Sequence, residues 1–272
     1  MIDCILSIFE YDFMLRALVT GVALCACASV IGVSLVLKHY SMMGDGLSHV
    51  GFGALCFAVV LNASPLYVSI PIVLACAFLL LNLPAKTKIQ KDSIIAVMST
   101  AALASGVMII SVTEGINTDI CNYLFGSILS LTDEDMYICV IASVLILLVF
   151  FMFFRNFFSV GFDMTFAKVQ GINVKFFNTI LALMSALIIV LGMKMMGALL
   201  ISNLIVVPAI CAMMIFKSYK AVVFHSLIAS MLCFLTGLVL SFELSTPTGA
   251  SIVLINMLSL LIHFLFKLLL KR

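Results

Sequence analysis

Long apolar runs, separated by short polar segments, place the strongest constraint on the fold of this chain. Most of them approach the roughly 20 residues that a helix needs to cross a bilayer. Because a segment in lipid must satisfy its own backbone hydrogen bonds, nearly every run is expected to be helical. The second run is too short to cross alone, so we expect eight or nine transmembrane helices, eight only if one segment is re-entrant. The runs cover about residues 13–37, 47–61, 66–83, 93–113, 136–157, 175–193, 196–216, 221–242 and 249–268.

The composition excludes a soluble protein. The 272 residues are 65% hydrophobic and 10% charged, whereas a soluble domain carries roughly 25% charged residues. We therefore predict an all-α polytopic membrane protein in which residues 1–272 form one transmembrane domain. The acidic start of the chain has no basic region of the kind that opens a cleavable signal peptide, so the N-terminus is expected to be retained.

The placement of basic residues predicts the orientation. Twelve of the 14 lysines and arginines fall in alternate loops or at the C-terminus, and such loops are normally cytoplasmic. The segment Glu114–Asp135 has five acids and no basic residue, and Asp3 and Glu10 precede the first run. A nine-span chain would thus have its N-terminus outside and its C-terminus in the cytoplasm. Arg16 and Lys194 are the exceptions.

The motifs that are missing narrow the function. The chain has no GxxxxGK[ST] phosphate loop, no HExxH and no GxSxG, so neither that route of ATP hydrolysis nor those hydrolase sites are supported. Most of the nine cysteines lie in apolar runs without CxxC pairing, which favours packing. Energy for any pumping must come from an ion gradient or another subunit.

The second run carries the most informative polar residues. A helix long enough to cross there must begin near Asp45 and must carry Asp45 and His49, which are four residues apart and share one helical face. Ionisable residues at bilayer depth usually line a pathway, and one carboxylate with one imidazole forms half a site for a borderline divalent cation. Two copies across a dimer would supply four ligands. The alternative is that Asp45 caps the helix and His49 bonds a neighbouring carbonyl.

Other polar residues give weaker signals. Asn203 could line a path or bond another helix, and Pro208 interrupts the seventh run and suggests a broken helix. His39 is expected in a solvated loop, and His225 and His263 are expected to be isolated packing histidines.

The longest cytoplasmic connection, residues 156–174, contains a short helix that is expected to end at Gly171. An interfacial linker helix is the simpler reading of that segment.

Five segments in the same order resemble the zinc and manganese class of ATP-binding-cassette permeases over nearly the whole chain. They are MGDGLSH at 43–49, NYLFGSILSLTDED at 122–135, AKVQG at 167–171, MKMMGALLISNLIVVPA at 193–209 and STPTGASIVL at 245–254. The resemblance implies a fold like the cobalamin-importer type of permease, in the bacterial cytoplasmic (inner) membrane.

The resemblance also implies partners and site residues. The expected assembly is a permease homodimer with two cytoplasmic ATPases and an extracytoplasmic metal-binding protein, surrounded by lipid and without nucleic acid. Asp45 and His49 match the Asp and His of the family's D-x-x-S-H motif, thought to meet the metal, and Ser48 matches its Ser. The family's coupling segment places its Asp, Ala and Gly at Asp163, Ala167 and Gly171.

The resemblance leaves the metal and the local geometry of the motif open. His49 and the MKMMGALLIS segment favour zinc, with manganese or iron(II) as alternatives, and the metal would be cargo rather than a stable cofactor. A gradient-driven carrier acting alone is the rival from another transport class. Gly46 and Ala54 depart from the family's usual Ala and Gly, with Gly51 and Gly53 nearby instead.

Overall fold

A computed structural model describes residues 12–87, 91–113, 126 and 132–270. Asp3, Glu10, most of the acidic segment between Glu114 and Leu131, and the last two residues lie outside this range. The described residues form helices without a strand. The helices are α1 (Asp12–Leu37), α2 (Ser41–Val60), α3 (Pro65–Thr87), α4 (Lys91–Val112), α5 (Asp133–Met152), α6 (Phe154–Phe162), α7 (Met164–Val169), α8 (Val174–Met196), α9 (Ala198–Ile215), α10 (Tyr219–Leu244) and α11 (Thr248–Leu270).

The helix lengths confirm the polytopic all-α prediction. Eight helices of the described part are long and apolar enough to cross a membrane, namely α1, α2, α4, α5, α8, α9, α10 and α11. The apolar part of α3 is shorter and covers Pro65–Leu81. Each of the nine predicted runs therefore contains a long apolar helix.

The helices divide into an inner and an outer group. In the most apolar stretch of α1, 78% of the residues are buried within the protein, and in α2 and α8 the share is 67%, whereas it is 11% in α11 and 17% in α4. Lipid is as apolar as leucine, so a helix at the edge of a membrane bundle can leave such residues exposed. The core therefore lies around α1, α2, α8 and α9.

The fifth run is shorter than predicted. The helix stops at Met152 and a new helix starts at Phe154, because Phe153 leaves helical geometry. The following helix α6 is amphipathic, with Phe157 and Val160 buried and Arg155 exposed. We expect a helix of this kind to lie along the membrane surface, and the run predicted as 136–157 consists of a long apolar helix and the start of a short amphipathic one.

A sharp joint separates α8 from α9. Gly197 has a φ of 85°, which an L-residue with a side chain rarely adopts. Gly126 packs directly against this joint, since a Cβ added there would lie 2.3 Å from the carbonyl carbon of Met196. The interruption that the sequence suggested at Pro208 is wrong in position: α9 continues through Pro208, and the chain turns at Gly197. Proline is tolerated inside a membrane helix when neighbouring helices cover the freed carbonyl.

Candidate functional site

Helix α2 presents Asp45 and His49 from its interior rather than from its end. The helix begins at Ser41 with Tyr40 at the N-cap position, four residues before the predicted start near Asp45. Asp45 therefore cannot be the capping residue, which removes one alternative. The longer helix also supplies the length that the apolar run after His49 lacks.

The two side chains meet on the one open face of the helix. Oδ2 of Asp45 lies 3.7 Å from Nε2 of His49, and their side chains are 56% and 28% exposed. Met42, one turn before, is also exposed. The distance is too long for a hydrogen bond, so the carboxylate and the imidazole are neighbours without being bonded to each other. We call Met42, Asp45 and His49 the open face of α2.

Among the described residues, no carbonyl binds Nδ1 of His49. Its Nδ1 is buried and has no hydrogen-bond partner among the described residues, which argues against the alternative in which His49 bonds a backbone oxygen. Buried polar atoms without partners are uncommon in native proteins and call for an explanation. Ser48, by contrast, is fully buried and donates to the carbonyl oxygen of Gly44 at 2.7 Å, so its hydroxyl is satisfied within the helix and turned away from the open face.

Two glycines seven residues apart, on one side of α2, bring it close to α4. A Cβ on Gly53 would lie 2.6 Å from the carbonyl oxygen of Ala102 on α4, and one on Gly46 would lie 2.3 Å from Cγ2 of Ile95. Small residues allow membrane helices to approach in this way. The glycines that depart from the family pattern thus serve the packing of α2 on α4, and they leave the open face clear.

The start of α2 packs against α9. A Cβ on Gly44 would make an ordinary 3.5 Å contact with Cδ1 of Ile205, which is close to the centre of α9 (Ala198–Ile215). Asp45 follows Gly44 directly, and His49 is one turn further. Ionisable groups in a membrane-spanning helix are costly and normally face a cavity, a pathway or a partner.

Asn203 lies on the same central helix. It is 9% exposed, and its Oδ1 has no hydrogen-bond partner in the described part of the chain. The interhelical hydrogen bond expected as an alternative is therefore missing at this oxygen. Gly32 of α1 packs on the backbone here, since its Cβ would lie 1.8 Å from the carbonyl oxygen of Ile205.

The segment predicted to couple to an ATPase forms a short helix with a cap at each end. Asp163 is the N-cap of α7, and its Oδ1 accepts from the backbone N–H groups of Thr165 at 2.7 Å and Phe166 at 3.2 Å. Ala167 is fully buried. Gly171 has a φ of 79° and follows the helix.

The C-terminal end of α7 is closed by two backbone bonds. The Gly171 N–H donates to Lys168 O and the Ile172 N–H to Ala167 O, both at 3.0 Å. This pair of bonds is the Schellman arrangement, which requires a left-handed residue after the cap. The predicted end at Gly171 is confirmed, and Asp163, Ala167 and Gly171 each have a defined structural part in α7.

The remaining histidines fall into two groups. His39 is exposed in the turn between α1 and α2, with a φ of 57°. His225 and His263, expected to be isolated, lie with their Nε2 atoms 2.9 Å apart. The sequence signal for this pair was that His225 precedes, and His263 follows, the turn between the antiparallel helices α10 and α11 by similar numbers of residues. Within the described residues, no group of three or more His, Cys, Asp and Glu side chains could hold a metal.

The two basic residues that broke the charge rule have acidic partners that the sequence did not reveal. Arg16 Nε lies 2.7 Å from Asp133 Oδ1, and Lys194 Nζ lies 2.7 Å from both oxygens of Asp135. Asp135 also closes a capping box with Thr132 at the start of α5. The sequence offered one signal for these pairs. The two basic residues outside the cytoplasmic loops and the acidic run Asp133–Asp135 were predicted on the same side of the membrane.

Sequence comparison supports a family assignment over almost the whole chain. The model of the ABC 3 transport family matches residues 10–267. The chain is 29% identical over 244 residues to the high-affinity zinc uptake system membrane protein ZnuB of Haemophilus influenzae, covering 90% of this chain and 94% of that protein. It is 28% identical over 262 residues to the manganese import system permease protein ScaB of Streptococcus gordonii, covering 96% and 94%.

Structural comparison gives the same family of folds. A chain of PsaBC from Streptococcus pneumoniae in complex with Fab superposes with a TM-score of 0.86 at 29% identity, covering 97% of this chain and 95% of that one. An inward-facing transporter described as of the metal-chelate ABC type superposes with a TM-score of 0.75 at 14% identity, covering 95% and 85%, which supports the fold alone. With the family match spanning residues 10–267, this multi-pass membrane protein belongs to the ABC 3 transport family.

Proposed function

We propose that this chain is the permease subunit of an ATP-binding-cassette importer for a divalent metal, with zinc as the preferred substrate. The observation that carries the proposal is the Asp45–His49 pair on the open face of α2, with Oδ2 and Nε2 3.7 Å apart. The names of the relatives, which refer to zinc and manganese, support the substrate class.

The spacing of the pair suits one shared cation. Zinc binds carboxylate oxygen at roughly 2.0–2.2 Å and imidazole nitrogen at roughly 2.0–2.1 Å. Two donor atoms 3.7 Å apart can therefore contact one zinc ion without moving. The unpartnered Nδ1 of His49 leaves its ring free to adjust as the ion arrives.

The exposure of Asp45 supports a dimeric site. A carboxylate that is 56% exposed in the second turn of a membrane-spanning helix requires a polar partner, since lipid offers none. A second copy that packs its own open face there would complete a site of two carboxylates and two imidazoles. Such a shared site can open when the two copies move, and this suits transport better than a closed structural site.

The exposed surface of α7 is the proposed contact for the ATPase. Around the buried Ala167, Phe166 and Val169 of α7 are 56% and 83% exposed, and Phe162 at the end of α6 is 78% exposed. Apolar groups of this size on a short capped helix fit a docking pocket on a soluble partner. Two ATPases would dock on the cytoplasmic side of the dimer, and an extracytoplasmic metal-binding protein would deliver the ion to the opposite side.

The proposed mechanism is alternating access. ATP binding in the partner subunits moves α7, and because Ala167 is packed into the bundle, that movement is passed to the helices around the pathway. The metal then passes Asp45 and His49 toward the cytoplasm, where the C-terminus also lies. Asn203 is a further proposed pathway residue.

Zinc is preferred over manganese because of the imidazole. Nitrogen ligands suit zinc, whereas carboxylate, carbonyl and water oxygens suit manganese. Availability of the metal and choice by the delivery protein can override this preference, so manganese and iron(II) are the alternative substrates.

Energised uptake into vesicles that contain the chain with its ATPase and binding protein tests the proposal. Asp45→Asn and His49→Gln keep the size of each side chain and remove the charge or the imidazole, and both should reduce ATP-dependent zinc uptake at least about tenfold. Met42→Leu on the same open face is the matched control and should leave uptake unchanged.

Each other result has a defined meaning. Normal uptake in both variants, with the complex intact, would move the metal path away from α2. Uptake that requires an ion gradient and no ATPase would instead identify a secondary carrier. Stronger transport of manganese than of zinc would keep the importer and change its substrate.

A further inference from the structure

The two histidines between α10 and α11 form a second cluster of metal-binding groups, apart from α2. Nε2 of His225 and Nε2 of His263 are 2.9 Å apart, and the two rings meet edge to face at 61° with centroids 5.2 Å apart. Both side chains are partly exposed on the surface of the single chain.

The backbone fixes the proton on one of these rings. Nδ1 of His263 lies 2.7 Å from the carbonyl oxygen of Ser259. A carbonyl can only accept, so Nδ1 carries the hydrogen and the lone pair of neutral His263 is on Nε2. Metal-binding histidines are commonly oriented in this way, with the other ring nitrogen donating to a backbone carbonyl. His263 Nε2 is thus a preformed ligand that points at His225.

The second ring is also held in place. The ring of Phe216 lies against His225, with centroids 5.0 Å apart. Without a metal, His225 Nε2–H donates to the lone pair of His263. If His225 carries its hydrogen on Nδ1 instead, both Nε2 lone pairs point into the same space. A tetrahedral zinc ion with nitrogen at roughly 2.0–2.1 Å sets its ligands about 3.3 Å apart, so the rings need to separate by about 0.4 Å.

The cluster lies at the end of the bundle that carries α6 and the α9–α10 connection. Tyr219, at the start of α10, stacks against Phe154 and Phe158 of α6, and His225 is less than two turns further along α10. This is the end proposed above to face the cytoplasm and the ATPases. Asp45 and His49 lie on a different helix, α2.

The ligand set predicts weak, reversible binding. In the described part of the chain no third His, Cys, Asp or Glu is close enough to complete a metal site, so water must fill the other positions. Lys267 follows His263 by one turn on the same helix face, and its charge also weakens cation binding. Two imidazoles select a nitrogen-preferring ion of the zinc class over manganese.

We propose that His225 and His263 form a second, low-affinity site for a zinc-class divalent cation, which bridges α10 and α11. A metal there would fasten these two helices together at the end of the bundle where transported metal would leave. The site is independent of transport through α2, because it shares no residue with the open face.

Zinc titration of the purified full-length chain in nanodiscs, followed by calorimetry and thermal unfolding, tests this site. The starting variant is Asp45→Ala with His49→Ala, which removes the open-face ligands. It should still bind one zinc per chain and should unfold at a higher temperature with zinc present. Adding either His225→Gln or His263→Gln should weaken that binding at least about tenfold and abolish the thermal shift.

Matched variants separate this site from other ligands. The chain has four histidines, so the remaining one, His39, is the control, and adding His39→Gln should change neither readout. Each glutamine variant must first unfold cooperatively without zinc, which shows that it is folded. If either His225→Gln or His263→Gln fails to fold, the other provides an independent result. Absence of saturable zinc binding in the starting variant, or unchanged binding after both His→Gln substitutions, would overturn the proposal. Failure of metal uptake alone would affect only the open face.

Discussion

Lys194 at the end of α8 binds both carboxylate oxygens of Asp135 at the start of α5, with each N–O distance 2.7 Å. Asp135 is 5% exposed, so the pair is largely shielded from solvent. A bidentate, charge-assisted contact of this kind fixes the relative position of two helix ends. It also explains why Lys194 remains at the membrane end where Arg16 is the other exception to the charge rule.

Removing Lys194 should strongly destabilise the protein. Lys194→Met leaves the Asp135 carboxylate buried without its cation, and breaking a buried pair in this way costs about 3–5 kcal/mol. Thermal unfolding in detergent should therefore show a clear loss of stability. Lys194→Met combined with Asp135→Leu should recover most of it, because no unpaired charge remains; equal loss in the double variant would contradict this explanation.

The neighbouring pair between Arg16 and Asp133 should matter much less. Its side chains are 30% and 62% exposed, and exposed ion pairs contribute about 0–1 kcal/mol. Asp133→Asn, which removes the charge of the more exposed partner, should leave the unfolding temperature nearly unchanged in the same assay. A loss as large as that of Lys194→Met would contradict this ranking of the two pairs.

Two glycines of α2 should respond differently to the same added methyl group. In Gly53→Ala the Cβ meets the carbonyl oxygen of Ala102 at 2.6 Å, so two helix backbones must separate. In Gly46→Ala the close contact is with the Cγ2 methyl of Ile95 at 2.3 Å, a side-chain group that a change in χ1 of Ile95 can move without separating the backbones. We expect Gly53→Ala to cost about 1–3 kcal/mol and Gly46→Ala clearly less, as measured by unfolding of the purified chain; the reverse order would contradict the packing described for α2 and α4.

Changes at the two caps of α7 should affect coupling without unfolding the bundle. Asp163→Ala removes the N-cap acceptor at a cost of about 1 kcal/mol. Gly171→Ala adds a Cβ that touches nothing within 4 Å, so only its φ of 79° opposes the change, at about 1–2 kcal/mol. Both variants should lower transport-coupled ATPase activity of the assembled complex while the melting temperature of the chain stays nearly constant.

A more conservative variant checks that reasoning. Asp163→Asn keeps an acceptor oxygen at the N-cap position and should restore most of the coupled activity. If Asp163→Asn were as defective as Asp163→Ala, the carboxylate would contact a partner directly instead of capping the helix.

Replacing Asn203 should show whether its side chain supports the fold or the transport pathway. Its buried Oδ1 makes no hydrogen bond within the described residues, so Asn203→Leu removes an unsatisfied polar atom and should leave stability equal or higher by about 1 kcal/mol. If Asn203 lines the pathway as proposed, uptake should fall in this variant although the protein is stable. A marked loss of stability would indicate that the amide supports the fold instead.

The sequence by itself determined the class of fold and the position of its main polar pair. Apolar runs of membrane length can satisfy their backbone in lipid only as helices, so the number and order of the helices followed from local pattern. The i, i+4 spacing of Asp45 and His49 likewise placed them on one face, and a glycine past a short helix predicted the end of α7. These are properties of residues close together in the chain.

Only the tertiary structure decided which residues meet from distant parts of the chain. The pairing of Lys194 with Asp135, and of His225 with His263, depends on which helices are neighbours and on their rotation about their axes, which hydropathy does not encode. The same holds for the open face of α2: the sequence gives three helical faces with similar small or apolar residues, and only the packing of Gly46 and Gly53 on α4 and of Gly44 on α9 shows which face stays free. Lipid is as apolar as the protein core, so burial cannot be predicted from hydrophobicity here and is decided by shape complementarity between helices.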